Sequence, residues 1–283
     1  MDTRAYMIWI TLGAIAVLLA EVATGRHRGI YSRKGEFPLI LVSMALGRFA
    51  IAPVASLLIA LVWRSLFPAY AGAISNLSLW LALPLVLLVN EFLFYWVHRW
   101  AHTTSKNKSL LWMIHRTHHS ATYMNVSVWM RLNVFWYFIV PNAWTMSLAI
   151  YLGLGQAAGI AIALIAAWNI VTHSEFRWED AVRSHRLFSQ AFRALEHVIV
   201  SPGIHHTHHG YGKDGASYRN FGVMLSVWDW LFGTLHIPDG RPYRYGVPGH
   251  KARWTEELFY PLVRCNVRGN QEVSAHSEPT NTR

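Results

Sequence analysis

The chain has 283 residues, of which 53% are hydrophobic and only 14% charged, with a formal net charge of +10 and a mean hydropathy of +0.22. Soluble domains carry roughly 25% charged residues, so this balance argues against an ordinary soluble domain and for a chain that meets lipid. The single cysteine, Cys265, excludes an internal disulfide framework and a cysteine-rich zinc site, and the basic residues sit in short loops rather than in a run that tracks phosphates, which argues against nucleic acid.

Residues 5–24 are almost wholly apolar and about long enough to cross a bilayer, which takes roughly 20 residues. A cleaved signal peptide fits less well, because Glu21 and Arg26-His-Arg28 stand where a small-residue cleavage site belongs. After a basic loop with Arg26, Arg28, Arg33 and Lys34, residues 37–63 form a second apolar stretch. Arg48 and Pro53 interrupt it, and it reads as one crossing with an interfacial start. A third stretch, 77–97, runs straight into His98. Residues 129–151 and 156–172 read as a hairpin of two more, joined at Gly153-Leu-Gly155. Arg131, Asn133 and Asn142 make its first arm unusually polar, as expected of a helix that is tilted or buried in protein. From His173 the chain turns polar and aromatic, and 266–283 reads as a disordered tail. The expected fold is all-α. It is an integral membrane bundle of four or five membrane helices with a cytoplasmic helical cap, in one domain over 1–265.

If the 26–36 loop is cytoplasmic, the second crossing leads outward and the third returns. Arg99, Lys106, Lys108 and Arg116 then lie on the cytoplasmic side, and the outer loop carries only Arg64, as the excess of cytoplasmic Lys and Arg requires. The hairpin brings His173 back to that side. A three-crossing version, with the hairpin in the interface, gives the same result.

Three histidine clusters punctuate the chain: His98-Arg-Trp-Ala-His102, His115-Arg-Thr-His118-His119 and His205-His206-Thr-His208-His209. Residues three and four apart share a helix face, so each cluster aims two or three imidazoles at one point. His206 lies off the shared face of its cluster. Imidazole binds zinc, copper, iron and nickel, and eight such ligands exceed the needs of one ion, so a two-metal site is expected. His173, at the foot of the last apolar helix, is expected on the same membrane face as a ninth ligand. Glu91 sits two turns before His98 on the same helix face and is expected to hydrogen-bond a ligand imidazole; the competing reading pairs it with Arg48 or Arg131. His27, His185, His250 and His276 stand alone and read as structural or solvated, as His197 and His236 more simply do.

Taken together these residues resemble the fatty acid hydroxylase / sterol desaturase superfamily of membrane di-iron oxygenases. The matching stretches are Glu91-Phe-Leu-Phe-Tyr-Trp-Val-His-Arg-Trp-Ala-His102, His115-Arg-Thr-His-His119, His173-Ser-Glu-Phe176 and Ser201-Pro-Gly-Ile-His-His-Thr-His-His209, followed by Asn220-Phe-Gly-Val-Met-Leu-Ser-Val-Trp-Asp-Trp-Leu-Phe-Gly-Thr234. The likeness spans 83–234, and the layout is most similar to the sterol-desaturase-like and alkylglycerol-monooxygenase-like branch. The resemblance implies two iron ions on His98, His102, His115, His118, His119, His173, His205, His208 and His209, with O2 as co-substrate. Glu91, Glu175, His206 and Asp229 are the candidates for orienting those ligands. It implies hydroxylation, or desaturation, of an unactivated C–H bond of a lipid or sterol-like molecule. No flavin, haem or nicotinamide motif is present, so electrons are expected from an external ferredoxin- or cytochrome-type donor with its reductase, docking on basic loops such as the one with Lys106 and Lys108.

Two rivals make different demands. A metal transporter or sensor needs ionisable ligands deep within crossing helices, along a path. A zinc-dependent membrane hydrolase needs only three or four ligands.

Overall fold

Away from water a backbone N–H or C=O is satisfied most simply within its own helix, so the apolar runs wind into helices. In the computed structural model, which describes residues 3–24, 30, 33–105, 108–249 and 252–264, this holds for every one of those runs but the 129–151 stretch. The expected tail, 266–283, and Lys106, His27, His250 and His276 lie outside the described residues. The first helix, α1, covers Thr3–Ala23. Next, α2 (Glu36–Leu46), a π-helical turn over Gly47–Ile51 and α3 (Ala52–Leu66) run on as one rod of 31 residues. The wider turn lets the Tyr137 ring press against Gly47, where any Cβ would collide with it. Arg48 does not point at a carboxylate; its guanidinium lies 4.9 Å above the Trp129 ring.

The third apolar stretch becomes α4, Leu79–Thr103, and the last becomes α8, Gly155–His173. Between them lie α5 (Leu110–His119), a 3-10 turn over Val126–Met130, α6 (Trp136–Ile139) and α7 (Pro141–Tyr151). Downstream come α9 (Trp178–Ser184), α10 (Ser189–Leu195) and α11 (Pro202–His209). The described chain closes with α12 (Val227–Leu231) and α13 (Trp254–Phe259). Helices dominate; β1 (Gly210–Tyr211) and β2 (Arg244–Tyr245) form only a short antiparallel ladder.

Among the described residues, Glu36–Leu66, Leu79–Thr103 and Gly155–His173 are long and apolar enough to cross a membrane, and Ile8–Ala23 is a shorter apolar helix. Their outward faces carry large apolar side chains, with Trp80 89%, Phe49 77% and Trp9 72% exposed, as a lipid-facing surface requires. The 129–151 stretch differs from a full crossing. Asn133 accepts from Phe135 N–H and donates to the carbonyls of Glu257 and Tyr260, which stops the helix. Only α7 continues, tied to α4 by Thr145 Oγ1 donating to Asn90 Oδ1 at 2.6 Å. The polar arm is thus split between a buried platform and a helix of 11 residues.

This topology decides where the histidines go. The loop before α4 bonds to the turn before α8: Gly72 N–H donates to Tyr151 O (2.9 Å) and Ile74 N–H to Leu152 O (3.1 Å). Gly153 turns there with φ +97°, and a Cβ on it would meet Ser75 Cβ at 2.7 Å. From this end α4 and α8 run side by side. Ala82 and Val86 of α4 pack with Ala157, Ala158 and Ala161 of α8 in one core, where small side chains allow close approach. Their other ends, His98–His102 and His173, therefore arrive at the same level.

Candidate metal centre

Two helix ends and two short amphipathic helices build the site. α5 is started by Ser109, whose Oγ accepts from Trp112 N–H at 3.2 Å, and α11 by Ser201, whose Oγ accepts from Ile204 N–H at 3.4 Å. Both then present imidazoles inward toward the ends of α4 and α8. The result is two groups of four: His98, His102, His119 and His208 in one, and His118, His173, His205 and His209 in the other. Within each group one ligand nitrogen from every residue lies within 4.8 Å of all the others. His115 joins the first group's edge, its Nε2 3.0 Å from His119 Nε2. All nine histidines expected from the sequence thus gather in one place. All are buried except His118, which is half-buried.

Successive residues of an α-helix differ by about 100° in direction. Adjacent histidines therefore serve different groups. On α5, His119 faces the first group and His118 the second; on α11, His208 faces the first and His209 the second. His119 and His209 stack at 4.3 Å between ring centroids, where the two groups meet.

The donor set can be read from its hydrogen bonds. A carbonyl only accepts, so an imidazole nitrogen facing one carries the proton. His98 Nδ1–H donates to Phe221 O (2.7 Å) and His208 Nδ1–H to Arg219 O (2.7 Å). His173 Nδ1–H donates to Asn169 O (2.8 Å) and His118 Nδ1–H to Val128 O (3.2 Å). Each of these four rings, when neutral, has a bare Nε2. Yet His98 and His208 bring those atoms to 3.0 Å, and His118 and His173 to 3.3 Å. Two lone pairs so close repel unless a cation lies between them. Protonation does not supply one: burial first, and neighbouring imidazoles second, hold His115, His118, His119, His205, His208 and His209 well below the usual histidine range. Two nitrogen ligands on one ion at a bond of roughly 2.1 Å stand about 3.0–3.4 Å apart. His102–His119, His205–His209 and His173–His205, at 3.1, 3.1 and 3.0 Å, fall in the same interval. The residues fit a pair of nitrogen-loving metal ions.

Aromatic rings close the site. Trp136 lies 4.5 Å from the His115 ring, Trp112 5.1 Å from His102, and Phe221 5.7–5.9 Å from His98, His102 and His208. The sequence did not mark these residues as part of the site. Phe221 lies within the Asn220–Thr234 motif; Trp136, on the supposed crossing, had no such signal. Backbone carbonyls carry no signal at all.

The four candidates for orienting ligands fare differently. Asp229, fully buried, accepts from Phe221 N–H (2.8 Å), Gly222 N–H (2.7 Å) and the Thr234 hydroxyl (2.7 Å). It thus braces the peptide whose carbonyl holds His98. Burial raises the Asp229 carboxyl above its ordinary value, and these donors oppose the rise. Glu91 is a correction to the sequence expectation: it contacts neither an imidazole nor an arginine. Its carboxylate accepts from Met224 N–H (2.8 Å), Leu225 N–H (3.1 Å) and Asn90. The reason is level: two turns above His98 the 221–225 segment crosses α4 and presents unpaired amides to any buried acceptor. Glu175 lines a cavity behind α11. His206 faces that same cavity, its Nδ1 beside the Arg241 guanidinium and 3.3 Å from the Tyr245 hydroxyl.

The sequence has relatives among known proteins. The family model described as "Fatty acid hydroxylase" matches residues 83–234. Alkylglycerol monooxygenase from Danio rerio is 28% identical over 174 residues, covering 60% of this chain and 34% of the relative. The Homo sapiens protein of that name is 26% identical over 150 residues, covering 51% and 28%. Very-long-chain aldehyde decarbonylase GL1-4 from Oryza sativa subsp. indica is 27% identical over 184 residues, covering 63% and 27%. The chain thus spans about a third or less of the length of these relatives. No solved structure matches.

Proposed function

Since this chain belongs to the fatty acid hydroxylase family, we propose that it is a membrane-bound di-iron, O2-dependent lipid oxidoreductase. Its reaction is hydroxylation, or desaturation, of an unactivated C–H bond of a lipid or sterol-like substrate. The observation that carries this reading is the pair of bare Nε2 contacts, His98–His208 at 3.0 Å and His118–His173 at 3.3 Å, one in each group of four. Relatives named for a monooxygenase and an aldehyde decarbonylase support lipid chemistry. A transporter is disfavoured because the ligands gather at helix ends, and a zinc hydrolase because nine imidazoles exceed its needs.

In this proposal His98, His102, His115, His119 and His208 hold one iron ion, and His118, His173, His205 and His209 the other. Iron, when bound, supplies the activation of dioxygen that no side chain can provide. The chain's own residues supply the rest. The carbonyls of Phe221, Arg219, Asn169 and Val128 hold four ligands in the tautomer that presents Nε2. Trp112, Trp136 and Phe221 keep water from the ligands' flanks. The apolar faces of α3 and α4 meet lipid, so the substrate enters from the membrane. The site faces the cytoplasm, where a ferredoxin- or cytochrome-type donor delivers electrons. Residues 1–265 act as one domain around the 83–234 core.

The test is an incubation of the purified chain with iron, a reductase system, dioxygen and a lipid extract. The account expects lipid-dependent oxygen consumption and products heavier by one oxygen or lighter by two hydrogens. A transporter or hydrolase consumes no oxygen, and that result rejects the proposal.

A further inference from the structure

On the side of α11 away from the nine histidines lies a cavity of about 320 Å³, at the small end of the roughly 300–1,000 Å³ of ligand sites. Three arginines from three distant segments converge on it: Arg33 between α1 and α2, Arg177 between α8 and α9, and Arg241 before β2. Glu175 shares the lining, and the fully buried Glu179 stands behind it, pairing with Arg241. Among the described residues, one positive charge remains in surplus when Glu175 and Glu179 are set against the three arginines. Arg241 is itself 4% exposed and anchored on its other side by His206, whose Nδ1 accepts from it. Arg33 Nη1 donates to the Thr122 hydroxyl at 2.7 Å, which fixes its direction without neutralising it. Arg177 is exposed and makes no ion pair among the described residues.

Arginines brought together from separate loops repel one another, and a bidentate oxyanion removes that cost with hydrogen bonds. Position narrows the ligand further. Arg33 lies between two apolar helices, and Arg177 follows α8 by four residues, so the cavity opens where apolar helices end. With those helices crossing a bilayer, that is the depth of lipid headgroups. We propose that this cavity is a phosphate-binding site, separate from the metal centre, that takes the phosphate of a phospholipid headgroup or of a free phosphate ester. The assignment does not depend on the oxygenase reading.

Calorimetric titration of the full chain in detergent tests it, with three probes: dioctanoyl phosphatidic acid, inorganic phosphate and dioctanoylglycerol. The comparison protein carries Arg33→Gln and Arg177→Gln together, two exposed positions whose loss breaks no buried ion pair. Phosphatidic acid is expected to bind the native chain and to lose about a hundredfold in affinity in the double variant, about tenfold per arginine. Dioctanoylglycerol, lacking the anion, is expected to show no dependence on the arginines. Arginine-dependent binding of inorganic phosphate assigns the free ester as a ligand; arginine-dependent binding confined to phosphatidic acid assigns the headgroup. Either supports the site. Phosphate probes that fail to bind, or that bind both proteins equally, overturn it.

Discussion

The most informative single substitution is Asp229→Asn, because Asp229 touches no imidazole and yet reaches one through a peptide. Its carboxylate accepts at 2.8 Å from Phe221 N–H, and at 2.7 Å from both Gly222 N–H and the Thr234 hydroxyl. The carbonyl of Phe221 in turn takes the Nδ1–H of His98 at 2.7 Å. An amide in place of the carboxylate keeps one acceptor and turns an NH2 toward a backbone N–H. One buried donor is then unpaired, at about 1–3 kcal/mol, and the surviving bonds lose charge assistance worth about 1 kcal/mol more. Water cannot repair the loss, since the Asp229 side chain is fully buried. The total is about 2–4 kcal/mol of stability. Because the peptide also fixes His98, metal affinity is expected to fall about tenfold, the lower end of what outer partners of metal ligands contribute. The assay is metal competition against a graded chelator on protein shown to be folded, beside thermal unfolding of the same samples. A purely structural role lowers the unfolding temperature and leaves the chelator midpoint of folded protein where it was. That outcome would refute the link from Asp229 to His98.

Four further expectations follow from the same geometry. His208→Ala, which removes a bare Nε2 3.0 Å from that of His98, is expected to lose metal on elemental analysis. His206→Ala, on the neighbouring position but facing Arg241, is expected to retain it; equal loss in both variants contradicts the division of α11 into two faces. Gly153→Ala places a side chain at φ +97° and against Ser75, which costs about 1–3 kcal/mol. It should lower thermal stability without changing metal content, because this turn lies at the far end of α4 and α8. The metal-free protein is expected to weaken in acid. His119, His208 and His209 are held below their ordinary value of 6.5, so as pH falls through that value the unfolded chain takes up protons the folded chain refuses. Stability is then complete above about pH 6.5 and declines below it; a flat profile between pH 7 and 5 in unfolding experiments speaks against neutral, buried imidazoles.

Much of the centre is legible in the sequence because helical spacing and imidazole chemistry act locally. His115 with His119, and His205 with His209, share faces by spacing alone, and α4 and α8 carry their histidines to one level because both helices begin at one turn. What the sequence hides depends on distant backbone. The split of His118 from His119 between two groups becomes visible only when α4, α8 and α11 are seen on either side of α5. The carbonyls that fix the tautomers belong to Phe221, Arg219, Asn169 and Val128, residues whose side chains say nothing about that task. Glu91 has the position expected of an imidazole partner, but the amides of Met224 and Leu225 reach it first. The 129–151 stretch reads as a membrane helix by hydropathy. Its polar residues instead fold it into a platform, with Asn133 bonding to the segment around α13 and Trp136 under His115.

The central claim is that two iron ions lie between bare Nε2 atoms at the membrane ends of α4 and α8. Elemental analysis with Mössbauer spectroscopy of iron-57-loaded protein tests it most directly. The account predicts two iron ions per chain in nitrogen-rich environments, both lost together in His208→Ala with His209→Ala. A stoichiometry of one, or a preference for zinc with no bound iron, contradicts it.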